Sequence, residues 1–252
     1  MDSDLMDMNE IWTFFAFPLN LMVAALWCLC LVWLRNKHRD GALMRFLHSP
    51  AATVSAIGLL ILACLWVGFR GDRTFVQSVL FVAVLLYVQT VLFLITLRGY
   101  RRADGVIRWR FLFLHLGLML ALGAGFWGSP DSSEYRMRIQ VDESSREAVT
   151  LDATRVVLPY EIALHDLSTE YSEDGTPNHY EAYLSVNGSK PVKLMVNHPY
   201  NVKFGEDIYL ASVSENSCVL QIVREPWRYF ALAGIVMILA GAFLLFINGP
   251  RR

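Results

Sequence analysis

Five apolar stretches, each near the length that crosses a bilayer, constrain this chain more than any other feature. They cover about residues 11–34, 51–69, 75–97, 111–128 and 227–247. A helix rises about 1.5 Å per residue, so about 20 apolar residues span the hydrocarbon of a membrane. With 55% hydrophobic and only 18% charged residues, the chain is too apolar for an ordinary soluble domain. The fourth and fifth stretches are separated by a polar segment, 129–226. The predicted fold class is therefore an integral membrane α-helical bundle of five spans with one extracytoplasmic all-β, sandwich-like domain.

The loops predict an orientation. Arg35, Lys37, Arg39 and Arg45 follow the first stretch, and Arg98, Arg101, Arg102, Arg108 and Arg110 lie between the third and fourth. With the tail, 248–252, which ends in Arg251-Arg252, they fall on one side, and the positive-inside rule makes that side cytoplasmic. Residues 1–10 and 129–226 are then extracytoplasmic; Arg70 and Arg73, in the short second loop, dissent mildly. The start, Met1-Asp2-Ser3-Asp4, is acidic where a signal peptide is basic, so the first stretch reads as a retained helix. Pro18 should kink or delay that helix, with Asn20 facing the bundle or the interface. Ser49-Pro50 is a helix-start signal, and Gln89 is the polar interruption of the third stretch.

The polar segment reads as β. Met137, Ile139 and Val141 alternate with Arg138 and Gln140, and short β-rich runs recur at 156–158, 183–186, 192–196, 208–213 and 219–223. Turn signals separate them at 173–177, Asn187-Gly188, Asn197-His-Pro199 and Glu215-Asn216. Several short strands at this spacing predict a small sandwich or an open barrel.

Chemistry-bearing residues are few. Net charge is −1, so no general basic field invites nucleic acid. No nucleotide-binding glycine loop, serine-hydrolase elbow or zinc-protease motif occurs. Cys28-Leu-Cys30 is neither a C-x-x-C redox pair nor a C-x-x-C-H haem-attachment motif, and reads as packing. Cys218 is alone in the polar segment, so no disulfide closes there. Glu170, Glu173 and Asp174 form an acidic turn that reads as a solvated surface. His165 and His179 flank it without metal-ligand spacing. His198 reads as a turn residue, and His38 and His48 as loop histidines, the latter near the second span.

His115 differs from these. It is the one histidine well inside a span. Polar groups in lipid are costly and face a protein interior or a bound group, which makes them site candidates. Neutral imidazole is an iron ligand. A histidine near a helix end can equally snorkel, or bond a neighbouring helix, and do no chemistry. Both readings stand on the residues alone. One histidine fills one axial position, so a haem held by this chain alone is five-coordinate or borrows a ligand, and any haem function points to a partner subunit.

The stretch from Leu158 to Tyr171, Leu-Pro-Tyr-Glu-Ile-Ala-Leu-His-Asp-Leu-Ser-Thr-Glu-Tyr, resembles the exported domain of the ResB (CcsB) family. So do Asp174-Gly-Thr-Pro177, Tyr180-Glu-Ala-Tyr-Leu-Ser185 and Val196-Asn-His-Pro-Tyr200 followed by Ile208-Tyr-Leu-Ala-Ser212. His115-Leu-Gly117 with the glycines behind it, and Val223-Arg-Glu-Pro-Trp227 before the last apolar run, are similar to that family as well. The resemblance implies a multi-pass protein of the bacterial cytoplasmic membrane, its β domain on the periplasmic or outer side. It implies a subunit of the system II cytochrome c maturation machinery, a haem lyase component that is not catalytic alone. Such a subunit handles or exports haem b with a CcsA-type membrane partner, for attachment to apocytochromes carrying C-x-x-C-H motifs. His115 then matches the family's transmembrane haem ligand, with the second ligand on the partner. The tryptophan-rich haem motif of the partner is absent here. Two departures, a compact exported domain and an additional first helix, leave an alternative: a non-catalytic structural subunit of a respiratory or haem-protein membrane complex.

Overall fold

The structure is a computed structural model. It describes residues 16–70, 78–171 and 177–248, with the side chains of 170–179 and 248 left aside. The acidic start, the loop carrying Arg73, the turn with Glu173 and Asp174, and Arg251-Arg252 lie outside the described residues. The chain forms two compact units, one of helices (1–130 and 227–252) and one of strands (131–226).

The helical unit contains, among the described residues, α1 (Leu19–Lys37), α2 (Ala42–Leu47), α3 (Pro50–Arg70), α4 (Val79–Gly99), α5 (Trp109–Gly128) and α6 (Arg228–Asn248). All but the short α2 are long and apolar enough to cross a membrane. Their ends follow local chemistry. α1 begins immediately after Pro18, whose missing N–H costs nothing at a helix start. The Ser49 hydroxyl accepts from the Ala52 N–H at 3.2 Å ahead of α3, and Ser78 does the same for Phe81 in α4. Arg35, Lys37, Arg70 and Arg98 occupy last turns, where they oppose the helix dipole.

Inside the bundle, Leu31 of α1, Met44 and Leu47 of α2, Ala52 and Ala56 of α3, and Val88, Val91 and Leu94 of α4 form one buried cluster. Polar side chains lock the helices where they cross. Asn20 is buried, and its amide donates to the Trp127 carbonyl of α5 at 2.7 Å. Ser55 and Tyr87 share a 2.8 Å bond between α3 and α4. The Arg98 guanidinium donates to the His48 carbonyl at 2.9 Å. Outward faces are apolar: Val54, Leu62, Leu239 and Phe246 are all exposed. Lipid solvates such faces, whereas water does not.

The strand unit is one antiparallel sheet of eight strands: β1 (Ser133–Gln140), β2 (Ser144–Thr150), β3 (Arg155–Tyr171), β4 (Pro177–Val186), β5 (Val192–Met195), β6 (Tyr200–Lys203), β7 (Glu206–Ser214) and β8 (Ser217–Arg224). The order is β5-β4-β3-β2-β1-β8-β7-β6. The sandwich-like expectation is thus modified. The strands hydrogen-bond as one sheet, and it curls until β5 approaches β7. Bulges make the curl possible, and both place extra residues on β3: 158–161 opposite the single Arg146 of β2, and His165 between Leu164 and Asp166. Curling lets a single sheet enclose one core, in which Met137, Ile139, Ile162, Leu164, Leu184, Leu194, Ile208, Leu220 and Ile222 are fully buried.

Turns close the strands where the backbone enters the left-handed region. Asn187 (φ 50°) and Gly188 (φ 67°) turn β4 into β5, as an Asn-Gly pair favours. Gly205 (φ 73°) must be glycine twice over, because a Cβ there would also lie 2.7 Å from the Pro226 nitrogen.

A polar group crosses the core. The buried Glu206 carboxylate accepts from the Tyr160 hydroxyl and pairs with Lys203 Nζ at 3.1 Å. Burial first, and then the bond to Glu206, push the Tyr160 hydroxyl far above its ordinary value, so it stays a donor. Cys218 lies in the same core, and burial pushes its thiol up to about 11 from 9.0. A thiol that high is almost entirely protonated at pH 8, and the thiolate is the nucleophile. Alkylation at pH 8 followed by peptide mass mapping should therefore leave Cys218 unmodified in the folded chain and modify it in denaturant. Modification in the folded chain would mean that this core opens.

Candidate functional site

α5 carries His115 and, beyond Arg110 in its first turn, no other titratable side chain. The ring is half-buried. Its Nδ1 lies 2.9 Å from the Phe111 carbonyl oxygen. A carbonyl only accepts, so Nδ1 bears the proton and donates. Where the imidazole is neutral, its lone pair is then on Nε2. The ring also stacks on Phe111, with centroids 3.8 Å apart and 21° between planes. Phe111 lies under the Arg108 guanidinium at 5.0 Å and fits against Gly99 of α4, where any Cβ would overlap its ring. The imidazole is thus oriented by a column of neighbours one turn toward the helix start.

The packing of α5 decides what His115 faces. Leu114, Gly117 and Ala121 form the stripe against α6, where they meet Gly241, Gly234 and Ile238. Successive residues turn about 100° round a helix, which sets His115 off that stripe. The stripe is closed, backbone to backbone, while His115 stays on a flank. One imidazole nitrogen with apolar neighbours, on a ring held by a backbone bond, would suit a haem iron as a single ligand.

The other sequence candidates are placed as follows. Among the described residues no three His, Cys, Asp or Glu side chains gather as a metal site. His165 sits at the β3 bulge, and its Nε2 lies 2.8 Å from the buried Ser185 hydroxyl. Glu170 and His179 are partners across the β3–β4 ladder. His198 donates its backbone N–H to Met195 in a turn. His38 ends α1, and His48 turns its Nδ1 to the Met44 carbonyl at 2.7 Å. Cys30 and Cys64 are exposed on helix faces and Cys28 is half-buried, so the packing role expected of Cys28-Leu-Cys30 is at most partial.

One feature escaped the sequence reading. The arginine-rich connection between α4 and α5 is a built hairpin. Arg101 bridges Ile107, the Arg102 N–H donates to Val106 at 2.9 Å, and the Arg108 N–H donates to Tyr100 at 2.8 Å. Asp104-Gly105 makes its turn, with Asp104 Oδ1 accepting from the Val106 N–H. That Asp-Gly pair was the available signal. A cleft of about 620 Å³ opens beside the hairpin and the first turns of α5, and Phe111 lines it while His115 does not.

Residues 102–219, somewhat less than half of the chain, match the ResB-like family. The match takes in the hairpin, α5 with His115, and the strand unit as far as Val219. It agrees with the resemblance read from Leu158 to Tyr171 and from Val196 to Tyr200. No curated protein matches the sequence. Among solved structures the chain is similar to a cytochrome c haem lyase, CcmF, at 13% identity and a TM-score of 0.43 over 75% of this chain and 33% of that one. It spans about a third of that protein's length.

Proposed function

We propose that this chain, ResB-like from Arg102 to Val219, is a membrane subunit of cytochrome c maturation that holds haem through His115 beside a partner subunit. The observation that carries this reading is the 2.9 Å approach of His115 Nδ1 to the Phe111 carbonyl oxygen. Its Nδ1–H is committed to the Phe111 carbonyl, which leaves the Nε2 lone pair for iron on a flank of α5 open to a second protein. The ligand opposite comes from that partner, a CcsA-type membrane protein. Haem b is the cargo, and its vinyl groups take up cysteine thiols of a C-x-x-C-H apocytochrome when iron and thiols are reduced.

The chain's own contribution is position. α5 packs on α6 through glycines, which fixes the helix that presents the imidazole. Phe111 and Arg108 hold the ring plane. Fixed placement of reacting groups is a large part of what a protein supplies to such a step. The five apolar helices are read as spans of the bacterial cytoplasmic membrane, with the arginine-rich ends inside and the strand unit outside, where the apocytochrome arrives.

Removing the gene is expected to abolish covalently haem-stained c-type cytochromes in membranes of its host, and a wild-type copy is expected to restore them. A protease site inserted at Asn187-Gly188 should be cut from the outer face only. Unchanged haem staining after removal would sink the functional reading. Cleavage only from the inner face would sink the orientation.

A further inference from the structure

The cleft beside α5 is lined by Arg102, Arg108 and Arg110, by Trp109 and Phe113, and by Leu244 of α6, with no carboxylate in its lining. The carboxylate of the hairpin, Asp104, is occupied in the turn itself, accepting from the Val106 N–H at 3.1 Å. A guanidinium has five N–H donors, and Arg108 uses one of them on the Gly99 carbonyl at 3.3 Å. Arg102, Arg108 and Arg110 line one cavity whose remaining walls are aromatic and aliphatic, and Arg102 and Arg108 are the cations on which the argument rests. The cavity lies where an apolar helix begins, the depth at which phospholipid headgroups sit in a bilayer.

We propose that this cleft is a binding site for the phosphodiester of an anionic phospholipid, whose acyl chain runs down beside Phe113 and Leu244. Guanidinium groups match phosphate oxygens in pairs. Basic pockets between membrane helices take such headgroups. The hairpin bonds order the loop before any lipid arrives, so little ordering entropy opposes binding. The inference rests on the reading of the apolar helices as membrane spans and is independent of haem.

The test uses the full chain reconstituted in vesicles of phosphatidylglycerol with phosphatidylcholine, extracted in mild detergent, with retained lipid identified by native mass spectrometry. Phosphatidylglycerol should be retained over phosphatidylcholine. Arg102→Gln should lower that retention about tenfold, the weight of one hydrogen bond to a charged group. Arg102→Lys should lose less, and Arg138→Gln, on an exposed strand position, should lose nothing. Equal retention of both lipids would overturn the proposal. So would an Arg138→Gln loss equal to that of Arg102→Gln, or an Arg102→Gln variant that keeps its lipid. Alkaline carbonate extraction is run alongside. Release of the chain from the membrane would fail the reading of the spans, whereas retention without lipid selectivity fails this inference alone.

Discussion

His115→Ala, purified with its membrane partner, should lose the Soret absorbance that the wild-type pair carries. Mutation of a mere outer-shell group costs about ten to a hundredfold in metal affinity, so loss of the ligand itself should cost at least tenfold. Added imidazole should restore part of the band in His115→Ala, because the alanine leaves room for a free ligand beside Phe111. Leu116→Ala, the adjacent half-buried position, controls for general damage to α5 and should keep its haem. Equal haem content in wild type and His115→Ala would remove the ligand role. If both variants instead lowered the yield of the intact pair equally, with no haem in any form, the chain would be a structural brace of its complex.

The five helices were legible because their signal is length and apolarity, which need no tertiary context. Pro18 marked the start of α1, and Asn20, the amide in its first turn, indeed turns inward to α5. Strands rich in Val, Ile and Leu, such as β7 and β8, stood out for the same reason. β2 did not. Ser144–Thr150 buries only Ala148, so its sequence carries almost no alternation, and its pairing with β1 and β3 makes it a strand. In the 17-residue β3 only 156–158 shows as a β-rich run, because Pro159 and polar residues interrupt the pattern and 158–161 bulge out between the paired Val157 and Ile162. Strand spacing left a sandwich and an open barrel both open, since it says nothing about which strands bond. The two bulges of β3 decide for one curled sheet.

The site was legible to a different degree. His115 stood out by position alone. Its tautomer depends on the Phe111 carbonyl one turn away, a bond that any helix offers and only a rotamer decides. The arginine hairpin was counted as charge for orientation and not seen as a shape. Charge patterning predicts sidedness but not that three of those side chains share one cavity.

Gly234→Leu should destabilise the helical unit strongly, and Gly125→Leu should not. A Cβ at Gly234 would lie 2.7 Å from both the Gly117 carbonyl oxygen and the Ala121 nitrogen. Both obstacles are backbone, so no side chain can swing away, and α5 and α6 must separate along the most extensive helix pairing of the unit. Within a bilayer, lipid tails are as apolar as leucine, so close backbone packing is what joins two helices. Overpacking of this kind costs about 1–3 kcal/mol even where side chains can shift. Leucine is the better helix former by just under about 1 kcal/mol, which offsets part of that cost. Gly125 meets nothing within 4 Å, so Gly125→Leu carries the same propensity gain without the collision. The difference between the two midpoints of thermal unfolding in detergent therefore isolates the contact. The wild-type chain should fall between them, with Gly234→Leu lowest. Because α5 presents His115 from this same packing, Gly234→Leu should also broaden or lower the Soret band of the partnered protein. Coincident unfolding midpoints for the two variants would mean that the glycine contact does not hold α5 and α6 together.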